Sequence, residues 1–372
     1  MDSQQQSAKS RDGKEQSDKP SDVDNRPLAP SFVDRVVENF DSAKRRVRGL
    51  NLESDGVTDI VTLLNDEFRL ERRVGNAEGE GGGKSESWIA ERINSPGEKV
   101  FLKKFNSPKH PPLEEIRDTE FGRNSKRRCE RFAQHHEQMR SKLATEIAGS
   151  GALVKPIAFG LPNRSLSYVK IYPWVSDGKI LDRNSVQSWS VNQRRTFIKT
   201  LCLAIWELHR QGLVHGDLKR ENVLVVNAPI GPVARLIDFD EAYLASDPPT
   251  SFEDLDVGTT IFTPEWLVLE DPSLQPANVS MKLGLHTDIF QLSLLLHEIF
   301  SDKSLSWSNF ADSSQNILDH ADASLKGGQP QCSDLGTNNL RLKQQLELSL
   351  NRIPSRRPSI SSILSSLGVT LP

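Results

Sequence analysis

Two short stretches carry side chains whose types and spacing suit one kind of chemistry. In Leu213-Val-His-Gly-Asp-Leu-Lys-Arg-Glu-Asn-Val-Leu-Val225, Asp217 and Asn222 stand five residues apart, with Lys219 between them. Twenty-one residues after Asp217 comes Asp238, in Asp238-Phe-Asp240. A carboxylate can accept a hydroxyl proton and aim that hydroxyl at an electrophile. An Asn oxygen and a second carboxylate are hard ligands of the kind Mg²⁺ takes. Together they suit phosphoryl transfer, which needs a positioned nucleophile and cations over the phosphate oxygens, and little covalent help. Apolar runs border both stretches, Val223-Leu-Val225 after the first and Ala234-Arg-Leu-Ile237 before the second, and are expected as the strands that hold the two loops.

The first stretch resembles the catalytic loop of eukaryotic-type protein kinases, His-x-Asp-Leu-Lys-x-x-Asn, and the second resembles their Asp-Phe-Gly, with Asp240 in place of the glycine. The resemblance implies that Asp217 is the catalytic base and that Asn222 and Asp238 hold Mg²⁺. It implies that Lys219 neutralises the transferring phosphate, as in the serine/threonine-specific form of the loop. Val100-Phe-Leu-Lys-Lys-Phe105 resembles the family's Val-Ala-Ile-Lys, which puts Lys103 on the α- and β-phosphates of ATP. Strand alternation turns Lys104 to the opposite face. One hairpin earlier, the glycine-rich run 76–87 stands where the family covers the phosphates with backbone N–H groups. It offers Gly79 and Gly81, yet contains no Gly-x-Gly-x-x-Gly and brings the negative charges of Glu78 and Glu80.

The elements that must position these groups follow the same resemblance. Ser167-Tyr-Val-Lys-Ile-Tyr-Pro-Trp-Val175 reads as a strand entering the hinge between two lobes, with Tyr172 as gatekeeper and Pro173 and Val175 facing adenine. Pro173 lacks an N–H, so its carbonyl and the N–H of Val175 would meet the base. A helix over Glu130 to Ile147, with Phe132, His136, Met139, Leu143 and Ile147 on one face, should carry the glutamate partner of Lys103. The usual register lands on Arg140, which leaves Glu137 as the candidate. Residues 106–128 are expected as a long polar link into that helix. A strand is expected over Leu153–Phe159.

An amphipathic helix over 191–211, with Phe197, Leu201, Ala204, Ile205 and Leu208 as its stripe and Gly212 as a stop signal, should deliver the chain to the catalytic loop. Asp288 is expected to anchor that loop, and Glu265 to pair with Arg357. Gly216 stands where many members have an Arg that pairs with a phosphorylated activation loop, so activity should not need that phosphorylation. Asp240 restricts backbone rotations that a glycine allows; it could reach a metal, and is expected instead to hydrogen-bond locally. Closing helices are expected over 338–350 and 358–367, with 302–337 rich in loops.

The chain has 372 residues and a net charge of 47 − 50 = −3, which points away from nucleic acid as a bulk partner. Cys129, Cys202 and Cys332 have no metal-binding spacing, which suggests a reducing, cytoplasmic setting. No apolar run approaches the ~18 residues of a membrane span, and no signal peptide is read at the start. Residues 1–30 are too polar to offset chain entropy and are expected as a disordered tail. Residues 31–65 are expected as a helical leader, with Phe32, Val36, Phe40 and Val47 on one face. The resemblance implies an α+β, two-lobed protein-kinase-like fold. Its small lobe would be an antiparallel sheet with one helix over 66–175, and its large lobe would be mainly helical over 176–372. It implies ATP- and Mg²⁺-dependent phosphorylation of serine or threonine in a protein substrate. The loose glycine run also admits a pseudokinase that binds or scaffolds without turnover, and the Ile-Asp-Phe-Asp form, which some saccharide and small-molecule kinases resemble, admits a substrate of that class.

Overall fold

A computed structural model describes residues 60–74, 85–110, 119–145, 151–163, 165–250, 263–303, 305–308 and 317–371. The first part of the chain within this range builds a six-stranded antiparallel sheet. Its strands are β1 (Ile60–Leu63), β2 (Asp66–Val74), β3 (Ser85–Arg92), β4 (Lys99–Lys109), β5 (Ala158–Gly160) and β6 (Ser167–Pro173), in the order β1-β2-β3-β4-β6-β5. Alternation of side chains puts Leu63, Phe68, Ala90, Val100, Leu102, Val169 and Ile171 in one apolar layer. Helix α1 (Glu120–Thr145) sets Cys129 and Phe132 against Phe105, Phe159 and Tyr168.

The small lobe differs from expectation in three places. Residues 60–63, expected within the helical leader, form a strand that pairs with β2. The remainder of that leader and residues 1–30 lie outside the described residues. Strand β4 runs on to Lys109 through a register shift after Lys104, and α1 starts at Glu120, so the expected link over 106–128 is mostly strand and helix. Thr119 caps this start, its hydroxyl accepting from the N–H of Gly122 at 3.0 Å. The strand expected over Leu153–Phe159 is confined to Ala158–Gly160, with Leu153 forming a single bridge to Leu236.

The large lobe grows from α2 (Val191–Arg210). Ser190 caps it, and its partner Gln193 completes a capping box. The predicted stripe is buried from Phe197 to Leu208. The chain then turns at Gly212 (φ 68°) into β8 (Leu213–Val214), which pairs with β11 (Tyr243–Leu244). Strands β9 (Val223–Ala228) and β10 (Gly231–Leu236) form the hairpin that carries the two loops read from sequence, with the short β7 (Lys179–Ile180) paired to β9. Helix α3 (Pro264–Glu270) follows. Helix α4 (Leu285–Phe300) is buried on nearly every side, as befits an element at the centre of a lobe. The stretch expected to be loop-rich contains helix α5 (Ile317–Leu325). Helices α6 (Leu340–Ser349) and α7 (Ile360–Ser366) come close to their expected bounds. Their Leu342, Leu346, Ile363 and Leu364 join α2 and α4 in one core.

Candidate active site

The loop after β8 is suspended from α4 by its backbone. Asp288 accepts from the N–H groups of His215 and Gly216, each at 2.9 Å. One turn on, Gln291 accepts from the N–H of Leu218 at 3.1 Å and donates to the carbonyl of Gly216 at 2.9 Å. The backbone of Asp217 is therefore fixed from both sides. Its carboxylate takes Lys219 Nζ at 2.7 Å and the side-chain amide of Asn222 at 3.0 Å. The same amide reaches the carbonyl of Asp217 at 2.8 Å. An Asn whose NH₂ group is committed in this way has its carbonyl oxygen to offer a cation.

Gly216 is fixed by space as well as by hydrogen bonds. Its φ is +79°, and a Cβ there would meet the carbonyl oxygen of Glu241 at 2.7 Å. An arginine at this position would strain the backbone and force the Glu241 carbonyl to move.

Asp238 follows β10 in the left-handed region, with φ 61°. Lys103 Nζ lies 2.8 Å and 2.9 Å from its two oxygens. Phe239 is buried and packs its ring 5.2 Å from that of His215, tying the second loop to the first. Asp217, Lys219, Asn222, Asp238 and Lys103 thus meet where the sheet joins the large lobe. Asp238 and Asn222 are the hard-oxygen pair suited to Mg²⁺, which is commonly held by one or two carboxylates plus substrate phosphates. Among the described residues, no group of three or more His, Cys, Asp or Glu forms a site of its own.

Pro173 ends β6 opposite Val100, and Val175 stands two residues on, its carbonyl accepting from the N–H of Gly178 at 3.1 Å. Tyr172 is buried beside Phe101, ring centroids 6.2 Å apart. Gly79 and Gly81 lie outside the described residues.

Glu137 is not the partner of Lys103. Its carboxylate bonds Arg140 at 2.5 Å and 2.8 Å on the exposed side of α1. Residues three apart are neighbours on a helix surface, and the inward position of that turn belongs to His136, only 1% exposed. Lys103 finds its second anion in Asp240, 2.6 Å away. Asp240 also accepts from Lys170 Nζ at 2.5 Å, and Lys170 reaches His136 Nδ1 at 2.7 Å. The expected local hydrogen bonding of Asp240 is therefore replaced by long-range ion pairs. Burial opposes charge on Asp240, yet Lys103 and Lys170 outweigh it and hold the carboxyl well below the usual carboxylate range. Burial likewise opposes charge on Lys103, and Asp238 and Asp240 more than reverse it, raising its pKa. Burial pulls Lys170 down despite Asp240, and it pushes His136 far below its ordinary value, with Lys170 adding to the effect. A neutral His136 is the acceptor that Lys170 requires.

Sequence reasoning missed Lys170 and His136. The signal was present: a lysine inside the apolar strand Tyr168-Val-Lys-Ile-Tyr172 and a histidine in the stripe of α1 must each find a partner once buried.

Comparison with known proteins agrees with this geometry. The model of the protein kinase domain matches residues 168–367, more than half of the chain, starting on β6. The chain is similar to serine/threonine-protein kinase pkn2 of Myxococcus xanthus, 24% identical over 241 residues that cover 65% of this chain and 25% of that protein. It is similar to the probable serine/threonine-protein kinase mps1 of Dictyostelium discoideum, 28% identical over 193 residues, or 50% of this chain and 18% of that one. Death-associated protein kinase 2 of Homo sapiens is 29% identical over 139 residues, 37% of this chain and 34% of that protein. The matches thus span about a third or less of the length of each of these relatives.

Proposed function

Because the chain belongs to the protein kinase family, we propose that it transfers the γ-phosphoryl group of ATP to serine or threonine in a protein substrate. The observation that carries this is the pairing of Asp217 with Lys219 and Asn222 on one loop and of Asp238 with Lys103 on the next, the two loops being joined by the Ile237 N–H on the Asn222 carbonyl at 3.0 Å and by the Phe239 ring against His215. Asp217 would orient the substrate hydroxyl and accept its proton. Lys219, already on that carboxylate, would neutralise charge developing on the transferred group. Lys103 would hold the α- and β-phosphates, and Pro173 and Val175 would meet the adenine. Asn222 and Asp238 would hold Mg²⁺, which supplies charge neutralisation for the phosphates when bound. The three cysteines are buried and form no disulfide, in keeping with a reducing, cytoplasmic setting. Among the described residues no helix is long and apolar enough to cross a membrane. The domain boundaries that accompany this function are a polar tail over 1–30, a leader over 31–59, a small lobe over 60–175 and a large lobe over 176–372.

The test is incubation of the pure protein with γ-labelled ATP and Mg²⁺, alone and with generic protein substrates. Label on serine or threonine is the expected result. A second reading, a pseudokinase, is favoured by one feature, the absence of Glu137 from Lys103. ATP binding without transfer would establish it in place of the first. Transfer to a sugar or small molecule alone would move the substrate class.

A further inference from the structure

Strand pairing sets Lys103 and Lys170 directly opposite each other on β4 and β6. Like charges in that relation are destabilising, and these two are shielded from water, Lys170 being 1% exposed. Both survive because Asp240 stands between them, one oxygen on each ammonium. With Asp238 the site holds two lysines and two aspartates. Neutral His136 and the ring of Phe105, 5.7–5.9 Å from both nitrogens, complete the enclosure. His135, next along α1, hydrogen-bonds the backbone of Asp240 and Ala242. The helix therefore grips the loop after β10 directly, through two adjacent histidines and Lys170.

We propose that Asp240 is a positioning residue: it supplies the second carboxylate that fixes Lys103 at the phosphates, with Lys170 and His136 holding it in place. This role rests on the site being the nucleotide site. The carboxylate that would otherwise come from the helix comes instead from the same loop that offers Asp238. Lys103, the metal-side aspartate and the helix are linked as one unit. A glycine at 240 would leave Lys170 as an uncompensated buried charge, which explains why an aspartate stands there.

The test compares wild type, Asp240→Asn and a triple variant, His136→Glu with Lys170→Met and Asp240→Gly, which returns the carboxylate to the helix and removes the extra lysine. Three quantities are read: thermal melting, kcat and KM for ATP, and acetylation of Lys103 in the nucleotide-free protein by an amine-reactive ester, located by mass spectrometry. Asp240→Asn should lower kcat by about 10²-fold, the scale of a misplaced reacting group, with a much smaller change in KM. Lys103 labelling should rise severalfold, since an amine that loses one of its two carboxylate contacts is held less tightly and meets the reagent more often. The triple variant should regain kcat to within about tenfold of wild type. A folded Asp240→Asn with wild-type kcat and labelling overturns the proposal, as does a folded triple variant no better than Asp240→Asn. Should Asp240→Asn fail to fold, the triple variant decides alone: folded and active supports the role, anything else overturns it. Should wild type transfer no phosphate, the kinase function falls, and the labelling comparison still decides whether Asp240 is the counter-ion of Lys103.

Discussion

The tasks proposed for Asp217 and Asp238 differ, so their substitutions should fail differently. The Asp217 carboxylate takes bonds from Lys219 and Asn222 of its own loop, so Asp217→Asn should leave ATP affinity nearly unchanged. Its rate should fall by roughly 10²–10⁴-fold, as for loss of a general base. Both carboxylate oxygens of Asp238 accept from Lys103, the lysine proposed to hold the phosphates. Asp238→Asn should therefore weaken Mg²⁺-dependent ATP binding as well as the rate. ATP titrations with and without Mg²⁺, plus single-turnover transfer, separate the two, and the reverse pattern would show the roles to be misassigned. Gly216 yields a third expectation. Gly216→Arg should not create a phosphorylation-dependent enzyme; it should lower the melting temperature, because any Cβ collides with the Glu241 carbonyl. A variant that melts like wild type would refute the clash. At this scale the sequence was most legible where residues act within one loop. Asp217, Lys219 and Asn222 declare themselves by spacing. The set of residues 136, 170 and 240 does not, because only the packing of a helix, a strand and a loop brings it together.

Helix α3 is fastened to the end of the chain by one buried ion pair. Glu265 and Arg357 meet at 2.7 Å and 2.8 Å with both side chains fully enclosed, and Arg357 lies over the ring of Phe290 on α4. Breaking one partner of such a pair costs roughly 3–5 kcal/mol. Arg357→Ala should lower thermal stability far more than Arg356→Ala, and equal effects would contradict the pairing. Helix α4 carries a second burden. Both ring nitrogens of His297 lack a hydrogen-bond partner among the described residues, and burial, with a smaller effect of His320, depresses its pKa from 6.5 to about 4. Unfolding lets that ring take up a proton that the folded state refuses. Stability should therefore fall as pH drops from about 6.5 to 4, by up to about 3 kcal/mol from this group. His297→Phe should flatten that part of the stability curve; an unchanged slope in denaturant titrations across that range would show that the ring is not the source. Elements with a one-sided stripe, such as α2, could be read closely in the sequence. The start of α1 could not, because its first turns are polar and exposed, and a hydrophobic period begins only at Cys129.

Across the whole molecule, the two-lobed architecture was legible because its connecting motifs occur in order along one chain. The divergent small lobe was less so: β1 escaped notice because a four-residue strand paired only with its neighbour has too short a period to read. The composition of residues 1–30 leads to a whole-chain expectation. Deleting them should leave melting temperature and phosphoryl transfer within error of the full chain, and a collapse of either would show that the tail contributes to the fold. The suspension of the catalytic loop from Asp288 has a further consequence. The amide hydrogens of His215 and Gly216 point at a carboxylate in the interior of the large lobe, so no local fluctuation of the loop exposes them to solvent. In deuterated water they should exchange among the slowest in the protein, at the rate of global opening, while amides at the exposed start of α1 exchange through fraying. The segment proposed to do the chemistry would then keep its protons about as long as the folded state itself survives.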